Sequence, residues 1–224
     1  KVPVVVNDGP GFLVNRLLAP YLNEAGWLLA EGASIEAIDR ALLDFGMPMG
    51  PLRLLDEVGL DVSRHAASVL YEAFGDRMLP APPLVKLGET ARLGKKGGRG
   101  FYRYQGKDEE VDTEIYSELG DTVPGERVQI PSSVIQERAI LVMVNEAARA
   151  LEDGIVSSPG EVDLAMVMGT GFPPFRGGLL RYADSIGLGS IVETLERHAR
   201  ERGPRFQPAP LLLERARAGQ GFYD

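Results

Sequence analysis

The chain has 224 residues, 44% of them hydrophobic and 25% charged, with a formal net charge of −8, no cysteine, and only His65 and His198 as histidines. This is the balance of a globular protein of one large or two small domains, and it excludes a disulfide framework, a thiolate metal site and a histidine-rich metal site. The acidic balance without a basic face speaks against a nucleic-acid partner, no apolar run reaches membrane-spanning length, and the absence of cysteine fits a cytoplasmic location.

In chain order, Lys1 to Val6 reads as a short extended strand cut off from something before it, and Asp8-Gly9-Pro10-Gly11 as a turn. Pro10 is suited to the first position of a helix, where its missing N–H costs nothing. The helix that follows carries Val14, Leu17, Leu18, Tyr21, Leu22, Ala25, Leu28 and Leu29 at three-to-four spacing and stops at Gly32. Ser34 caps a second helix with Ile35, Ile38, Ala41, Leu42 and Phe45 on one face, ending at Gly46. Pro51 opens a short third helix. Asp61 is expected to cap a fourth, with Val62, Ala66, Val69, Leu70 and Ala73 facing inward. A short helix around Leu84 to Leu87 and the loop Gly94 to Gly100 close this unit at Phe101-Tyr102.

Residues 105–131 carry eight acids against Lys107 and Arg127, and read as a solvated linker with a helical turn near Ile115. Ser133-Val134-Ile135-Gln136 is a capping-box pattern opening a helix whose run Ala139 to Val144 should be buried on most sides. No useful strand run is seen beyond residue 8. From residue 132 onward the pattern repeats. Asn23-Glu24-Ala25 returns as Asn145-Glu146-Ala147, Ile38-Asp39 as Val162-Asp163, and Asp56-Glu57-Val58-Gly59-Leu60 as Asp184-Ser185-Ile186-Gly187-Leu188. Pro80-Ala81-Pro82 returns as Pro208-Ala209-Pro210, and Gly100-Phe101-Tyr102 as Gly221-Phe222-Tyr223. Collinear matches with small drifting offsets mark a two-copy duplication, and two such units normally pack face to face.

The duplication sorts the polar residues. Asn15 sits in an apolar stretch, either as a helix-terminus amide bonding nearby backbone or as a neutral donor aimed into a cleft. At the repeat offset its counterpart is Glu137, while Arg16 keeps its counterpart in Arg138. An amide needed to build the helix would be wanted in both copies. The loop Gly94 to Gly100 is either a solvated turn or a basic cradle for phosphate, and Arg215 to Gly221 in copy two loses Lys95 and Lys96 as lysines. The turns Met47 to Pro51 and Gly169 to Gly178 either shape helix packing or form an apolar wall. His65 and His198 have no carboxylate at catalytic spacing and read as structural or surface residues. A nucleophile elbow and a dinucleotide fingerprint are both missing.

Pro10 to Tyr21, then Pro48-Met49-Gly50-Pro51 with Leu54-Leu55-Asp56, then Gly94-Lys95-Lys96-Gly97 ending in Gly100-Phe101-Tyr102, closely resemble the C-terminal domain of L-3-hydroxyacyl-CoA dehydrogenases. The second copy, with Gly171 to Gly178, is similar to the multifunctional branch, the α-subunit of bacterial fatty-acid oxidation complexes. The resemblance implies an all-α fold of two tandem copies, like the 6-phosphogluconate dehydrogenase C-terminal domain, packed as a pseudo-dimer with a short extended N-terminal remnant. It implies residues 1–104 as the site-bearing copy, 105–131 as an acidic linker and 132–224 as a structural copy.

That family oxidises the 3-hydroxyl of an acyl-CoA with NAD as hydride acceptor, in fatty-acid β-oxidation. Its base, a histidine oriented by a glutamate, lies in an upstream NAD-binding domain, so the resemblance implies a fragment inert by itself. By position, Asn15 matches the active-site asparagine that bonds the substrate's 3-oxygen. Pro48, Met49 and Gly50 would border the acyl-CoA. Lys96 matches a lysine approaching the dinucleotide, and Met168 stands where some multifunctional relatives carry a ligand-contacting tyrosine. The implied partners are an acyl-CoA substrate, the NAD-binding domain, an enoyl-CoA hydratase domain and a thiolase β-subunit. Two rival readings are a structural or oligomerisation module of such a complex and a short-chain 3-hydroxybutyryl-CoA dehydrogenase.

Overall fold

The computed structural model describes residues 3–223. Lys1 and Val2, the start of the expected strand, lie outside the described residues, and Pro3 to Asp8 enter no strand. Instead the Asn7 amide N–H donates to the Ile155 carbonyl at 2.9 Å. Among the described residues the chain is helical, in line with the expected all-α class, with one two-stranded hairpin.

The helices are α1 (Val14–Ala30), α2 (Ile35–Phe45), α3 (Pro51–Val58), α4 (Leu60–Phe74), α5 (Pro82–Leu87) and α6 (Ile115–Leu119). They continue as α7 (Ser132–Glu152), α8 (Pro159–Thr170), α9 (Leu179–Ile186), α10 (Leu188–Arg202) and α11 (Pro210–Ala218). Their ends follow local chemistry. Ser34 accepts a hydrogen bond from the Ala37 N–H at 3.2 Å, Gly46 closes α2 at φ 114°, and Pro51 occupies the first turn of α3. Three expectations fail at helix starts, the first at α7, where Ser133 of the expected capping box lies inside the helix and the Gln136 amide donates instead to the Ala41 carbonyl at 2.8 Å. Pro10 lies in a turn four residues ahead of α1, because Gly11 (φ 74°) and Phe12 (φ 50°) are left-handed and cannot continue a helix. Asp61 lies inside the first turn of α4, where it pairs with Lys96.

The chain folds into two compact units that do not coincide with the two copies. The first comprises residues 1–20, 73–79 and 140–224; the second, residues 21–72 and 80–139. Each therefore joins the start of one copy to the body of the other. In the first unit the fully buried Arg16 gives its Nε to Glu146 and a terminal nitrogen to Asp153, each at 2.7 Å, with its guanidinium 4.5 Å over the Phe74 ring. In the second, the equally buried Arg138 gives its Nε to Glu24 at 2.7 Å and a terminal nitrogen to Glu31 at 2.6 Å. A guanidinium without water is stable only when its donors meet carboxylates, so each pair fixes how α1 and α7 enter their unit.

Residues 105–131 are not a solvated linker. Tyr102–Gln105 (β1) pairs antiparallel with Asp108–Val111 (β2), and Ile115, Leu119 and Val123 are buried. The acidic character of this stretch hides an anchor. Asp112, 2% exposed, accepts hydrogen bonds from Arg92 at 2.9 Å, from Arg99, and from Arg103 at 3.3 Å. Alternation of charged residues around two short strands gave no run long enough to read as a hairpin.

Replacing Glu24 by alanine leaves Arg138 with one carboxylate, and we expect a loss of about 3–5 kcal/mol in urea unfolding. The double replacement Arg138→Met with Glu24→Leu should recover most of that loss. A second expectation concerns pH. Burial alone would raise the Asp112 carboxyl, but the hydrogen bonds from Arg99 and Arg92 outweigh it and bring it to about 2. A lowered folded-state value stabilises the fold above the ordinary carboxylate range, and that contribution is lost as pH falls from about 4 through 2. Asp112→Asn should therefore unfold roughly 2–3 kcal/mol more easily than the natural chain at pH 7, with the gap closing towards pH 2.

Candidate functional site

Asn15 stands in the first turn of α1 with its side chain exposed. The left-handed Gly11-Phe12 corner turns the chain so that α1 starts at Val14 and Asn15 projects from the end where the helix dipole is positive. Phe12 is the one non-glycine residue with positive φ among the described residues, and it is 57% exposed. Such a conformation costs on the order of 1–3 kcal/mol and gathers at ligand sites.

Asn15 lines a shallow open pocket of about 170 Å³ with Val4, Val6, Gly11, Phe12, Leu13, Val14 and Ala165. Its volume is below the roughly 300 Å³ at which small-molecule sites begin, as suits one wall of a larger site. Ala165 comes from α8, in the second copy. α8 lies so close that a Cβ built on Gly169 would stand 3.1 Å from Val14 Cγ2. Met168 shares a face of α8 with Ala165 and Gly169, and is 62% exposed beside Leu164. The structure thus brings Ala165 and Gly169 of α8 to the Val14–Asn15 end of α1, with Met168 next to them in α8.

The corresponding place in the second unit has the opposite character. Asn15 becomes Glu137, and the positions equivalent to Leu164 and Met168 are Arg40 and Asp44, an exposed ion pair at 2.9 Å on α2.

The other sequence candidates lie in the second unit. Pro48 is exposed, Met49 is half-buried with its sulfur 4.0 Å from an Arg53 nitrogen, and Gly50 is buried. Gly50 has a packing requirement of its own, since a Cβ there would fall 2.2 Å from Asp39 Cγ. Lys96 is half-exposed and pairs with Asp61 at 2.6 Å, and Lys95 pairs with Glu57 at 2.8 Å. Hydrogen bonding from these lysines lowers both carboxyls. His65 is exposed, and His198 is buried with its ring 4.9 Å from that of Phe206, which agrees with structural or surface roles.

Sequence reasoning left unassigned the carboxylates that hold these elements. Asp39 accepts from the Leu52 N–H (2.8 Å), the Arg53 N–H (3.0 Å) and the Tyr102 hydroxyl (2.7 Å), so it caps α3 from a distance in sequence. Burial raises its carboxyl to about 6 against these three hydrogen bonds. Asp56 receives the Phe101 and Tyr102 N–H groups, each at 2.9 Å. Copy two repeats the device: Asp163 takes Leu180, Arg181 and Tyr223, and Asp184 takes Phe222 and Tyr223. Recurrence of these aspartates in both copies was the signal that could have marked them as framework. Among the described residues no group of acids and histidines could hold a metal ion.

Comparisons with known proteins place this geometry. The family described as 3-hydroxyacyl-CoA dehydrogenase, C-terminal domain, matches residues 11–104 and again 135–223. The fatty acid oxidation complex subunit alpha of Idiomarina loihiensis is 48% identical and that of Shewanella loihica 45%, each across the whole of this chain. The chain spans 32% of the length of these relatives. Among solved structures, 3-hydroxybutyryl-CoA dehydrogenase from Escherichia coli is similar over 98% of this chain and 62% of its own, with a TM-score of 0.78 and 27% identity. The dehydrogenase part of multifunctional enzyme 1 from C. elegans is similar over 96% and 50%, with a TM-score of 0.70 and 26% identity.

If Gly50 is required by Asp39, Gly50→Ala should lower stability by about 1–3 kcal/mol in thermal unfolding, because the new methyl group must push the α3 cap apart. Gly178→Ala, where a Cβ would stand 2.4 Å from Asp163, should do the same.

Proposed function

The chain belongs to the 3-hydroxyacyl-CoA dehydrogenase C-terminal-domain family, and from that premise we propose that it is the substrate-side portion of an NAD-dependent L-3-hydroxyacyl-CoA dehydrogenase of fatty-acid β-oxidation. The observation that carries this reading is the contrast between the two ends. Asn15 lines its pocket with Ala165 of α8, a helix whose exposed Leu164 and Met168 are apolar, whereas the equivalent positions in the other unit are Glu137 and the exposed ion pair Arg40–Asp44. A site that must hold a thioester chain in place needs an apolar wall and a donor that brings no charge.

In this reading the Asn15 amide donates to the 3-oxygen of the substrate as it becomes a carbonyl, at the positive end of α1. Phe12, Val14, Ala165 and Met168 exclude water and receive the chain's methylenes. The second copy then contributes to the site as well as to the fold. Residues 1–104 are the copy that bears the amide, 105–131 a packed connection and 132–224 the copy that completes the wall. Pro48, Met49 and Gly50 are assigned to the border of the acyl-CoA, with Gly50 also serving the Asp39 cap.

NAD would supply the hydride acceptor. Lys96 fits a single cationic contact at the edge of such a group, being half-exposed and paired with the surface carboxylate of Asp61. Nothing else among the described residues resembles a dinucleotide cradle, and the one hairpin leads into no phosphate-binding helix. The base that removes the hydroxyl proton is likewise assigned to a separate NAD-binding domain, so the chain alone is inactive in this account. The enoyl-CoA hydratase domain, the thiolase β-subunit and the cytoplasmic location belong to the same proposal. Among the described residues no helix is long and apolar enough to cross a membrane.

Mixing the chain with a separately produced NAD-binding domain of the family should restore NADH oxidation with acetoacetyl-CoA, followed by the loss of NADH absorbance. Asn15→Ala should lower kcat about 10²-fold, the usual cost of losing one donor to a developing oxyanion. Equal rates for the natural chain and the Asn15→Ala variant in such mixtures would contradict the role given to the amide.

A further inference from the structure

The two copies start their long helices differently, and the difference falls on the residues around Asn15. At the offset that pairs Asn15 with Glu137, Gly11 and Phe12 pair with Ser133 and Val134. Ser133 and Val134 belong to α7, which begins at Ser132, the counterpart of Pro10. α1 begins only at Val14, so copy one gives up a turn of helix that copy two keeps. In its place stands the corner of Gly11 (φ 74°) and Phe12 (φ 50°). Phe12 is 57% exposed, so burial in a core does not hold it left-handed.

Both sides of the corner are tied to the end of α7 and the turn after it. Upstream, the Asn7 N–H donates to the Ile155 carbonyl at 2.9 Å and its side-chain amide to the Gly154 carbonyl at 2.7 Å. Gly9 runs so close that a Cβ on it would stand 2.7 Å from Ile155 Cδ1. Downstream, Arg16 gives its guanidinium to Glu146 and Asp153. Copy two has a similar tie, from the Val128 N–H to the Gly32 carbonyl at 2.8 Å, and α7 starts four residues after it. In copy one, α1 starts seven residues after Asn7. The left-handed turn takes up the difference, closed by the Phe12 N–H donating to the Gly9 carbonyl at 2.9 Å.

The consequence for Asn15 follows from the way helical side chains point. Each lies back over the turn that precedes its own Cα. Glu137 is the sixth residue of α7, has such a turn beneath it, and is half-buried. Asn15 is the second residue of α1 and has none. The turn it would cover is the corner itself, and Gly11, Phe12 and Leu13 line the pocket with it. The Asn15 side chain is exposed and stands within the first turn, where the positive helix end is felt.

We propose that Gly11 and Phe12 are positioning residues, whose left-handed corner stops α1 at Val14 and so sends the Asn15 amide past the helix end into the pocket. This deepens the dehydrogenase reading and rests on the role given there to Asn15. Phe12 acts here through its backbone, separately from the water-excluding role of its ring. Glycine is at ease in the left-handed region and a β-branched residue is not, so substitution separates the two roles.

Gly11→Ser combined with Phe12→Val installs the pair of copy two and should extend α1 upstream, read as helical carbon-13 Cα shifts at residues 11–13 that the natural chain lacks. Phe12→Gly keeps the corner and should leave those shifts non-helical. In mixtures with the NAD-binding domain and acetoacetyl-CoA, both variants lose the ring and should raise KM. Only the double variant should lower kcat, by about tenfold or more, because the amide is then misplaced. Phe12→Gly should hold kcat within about twofold of the natural chain. Phe12→Val alone, a smaller change for use if the double variant does not fold, should show the same fall in kcat. Non-helical shifts in the valine variants, or a kcat that falls as far in Phe12→Gly as in them, would overturn the inference. So would an unchanged kcat in the valine variants where Asn15→Ala is impaired, which leaves the proposed reaction standing. A fully active Asn15→Ala chain would count against the reaction reading and take the positioning role with it. A mixture inactive with every chain would count against the reaction alone, and the Cα shifts then decide the inference.

Discussion

Two buried guanidinium groups, Arg16 and Arg138, set the constraint from which the rest of the structure follows. Each is at most 1% exposed and each finds its carboxylates on residues of the other copy, Glu146 with Asp153 and Glu24 with Glu31. Removing such a charge from water is costly, and only full pairing makes the burial tolerable. The two compact units therefore cannot be the two copies: each must contain the arginine of one and the acids of the other. The start of α1 is held in this way, and with it the position of Asn15 one residue before Arg16.

A second tier of ionic contacts holds the helices that follow. Asp39 and Asp56 in one unit, Asp163 and Asp184 in the other, gather backbone N–H groups from helix starts and from the Gly-Phe-Tyr segments. Glycines stand where the carboxylates approach. A Cβ on Gly100 would fall within 2.3 Å of the Asp56 carboxyl carbon, and one on Gly221 within 2.9 Å of that of Asp184. Asn23 and Asn145 add the same kind of contact, accepting the Ala81 and Ala209 N–H groups at 2.8 and 2.7 Å. Every one of these residues occurs in both copies. Several positions that are exposed in one copy differ in the other: Asn15 against Glu137, Met168 against Asp44, Val69 against Arg197.

Much of this was legible in the residues because helices announce themselves through three-to-four spacing and because a duplicated chain contains its own comparison. The helical class, the caps at Ser34 and Gly46 and the contrast at Asn15 came from those two sources. What escaped was set by contacts distant in sequence. The hairpin at Tyr102–Val111 is too short to show alternation, and the burial of Asp112 depends on Arg92, Arg99 and Arg103 converging from elsewhere. Val62, Ala66, Val69 and Ala73 of α4, expected to face inward, are exposed, and were misread because an apolar stripe predicts a partner without saying which molecule supplies it. The start of α1 was misplaced because nothing in Gly9-Pro10-Gly11 foretells a left-handed Phe12.

The central claim is that the polar residues shared by the copies, Asp39 with Asp163 and Asp56 with Asp184 among them, hold the fold, while the exposed Asn15, which copy two replaces, serves what lies outside it. The most direct test compares urea unfolding of Asn15→Glu, which installs the residue of copy two, with that of Asp39→Asn. The account predicts that Asn15→Glu changes stability by less than about 0.5 kcal/mol, since an acid in the first turn of a helix is well tolerated. It predicts that Asp39→Asn costs at least about 1 kcal/mol through loss of charge-assisted hydrogen bonds. An Asn15→Glu chain destabilised as much as the Asp39→Asn chain would show that the amide is part of the framework and would contradict the account.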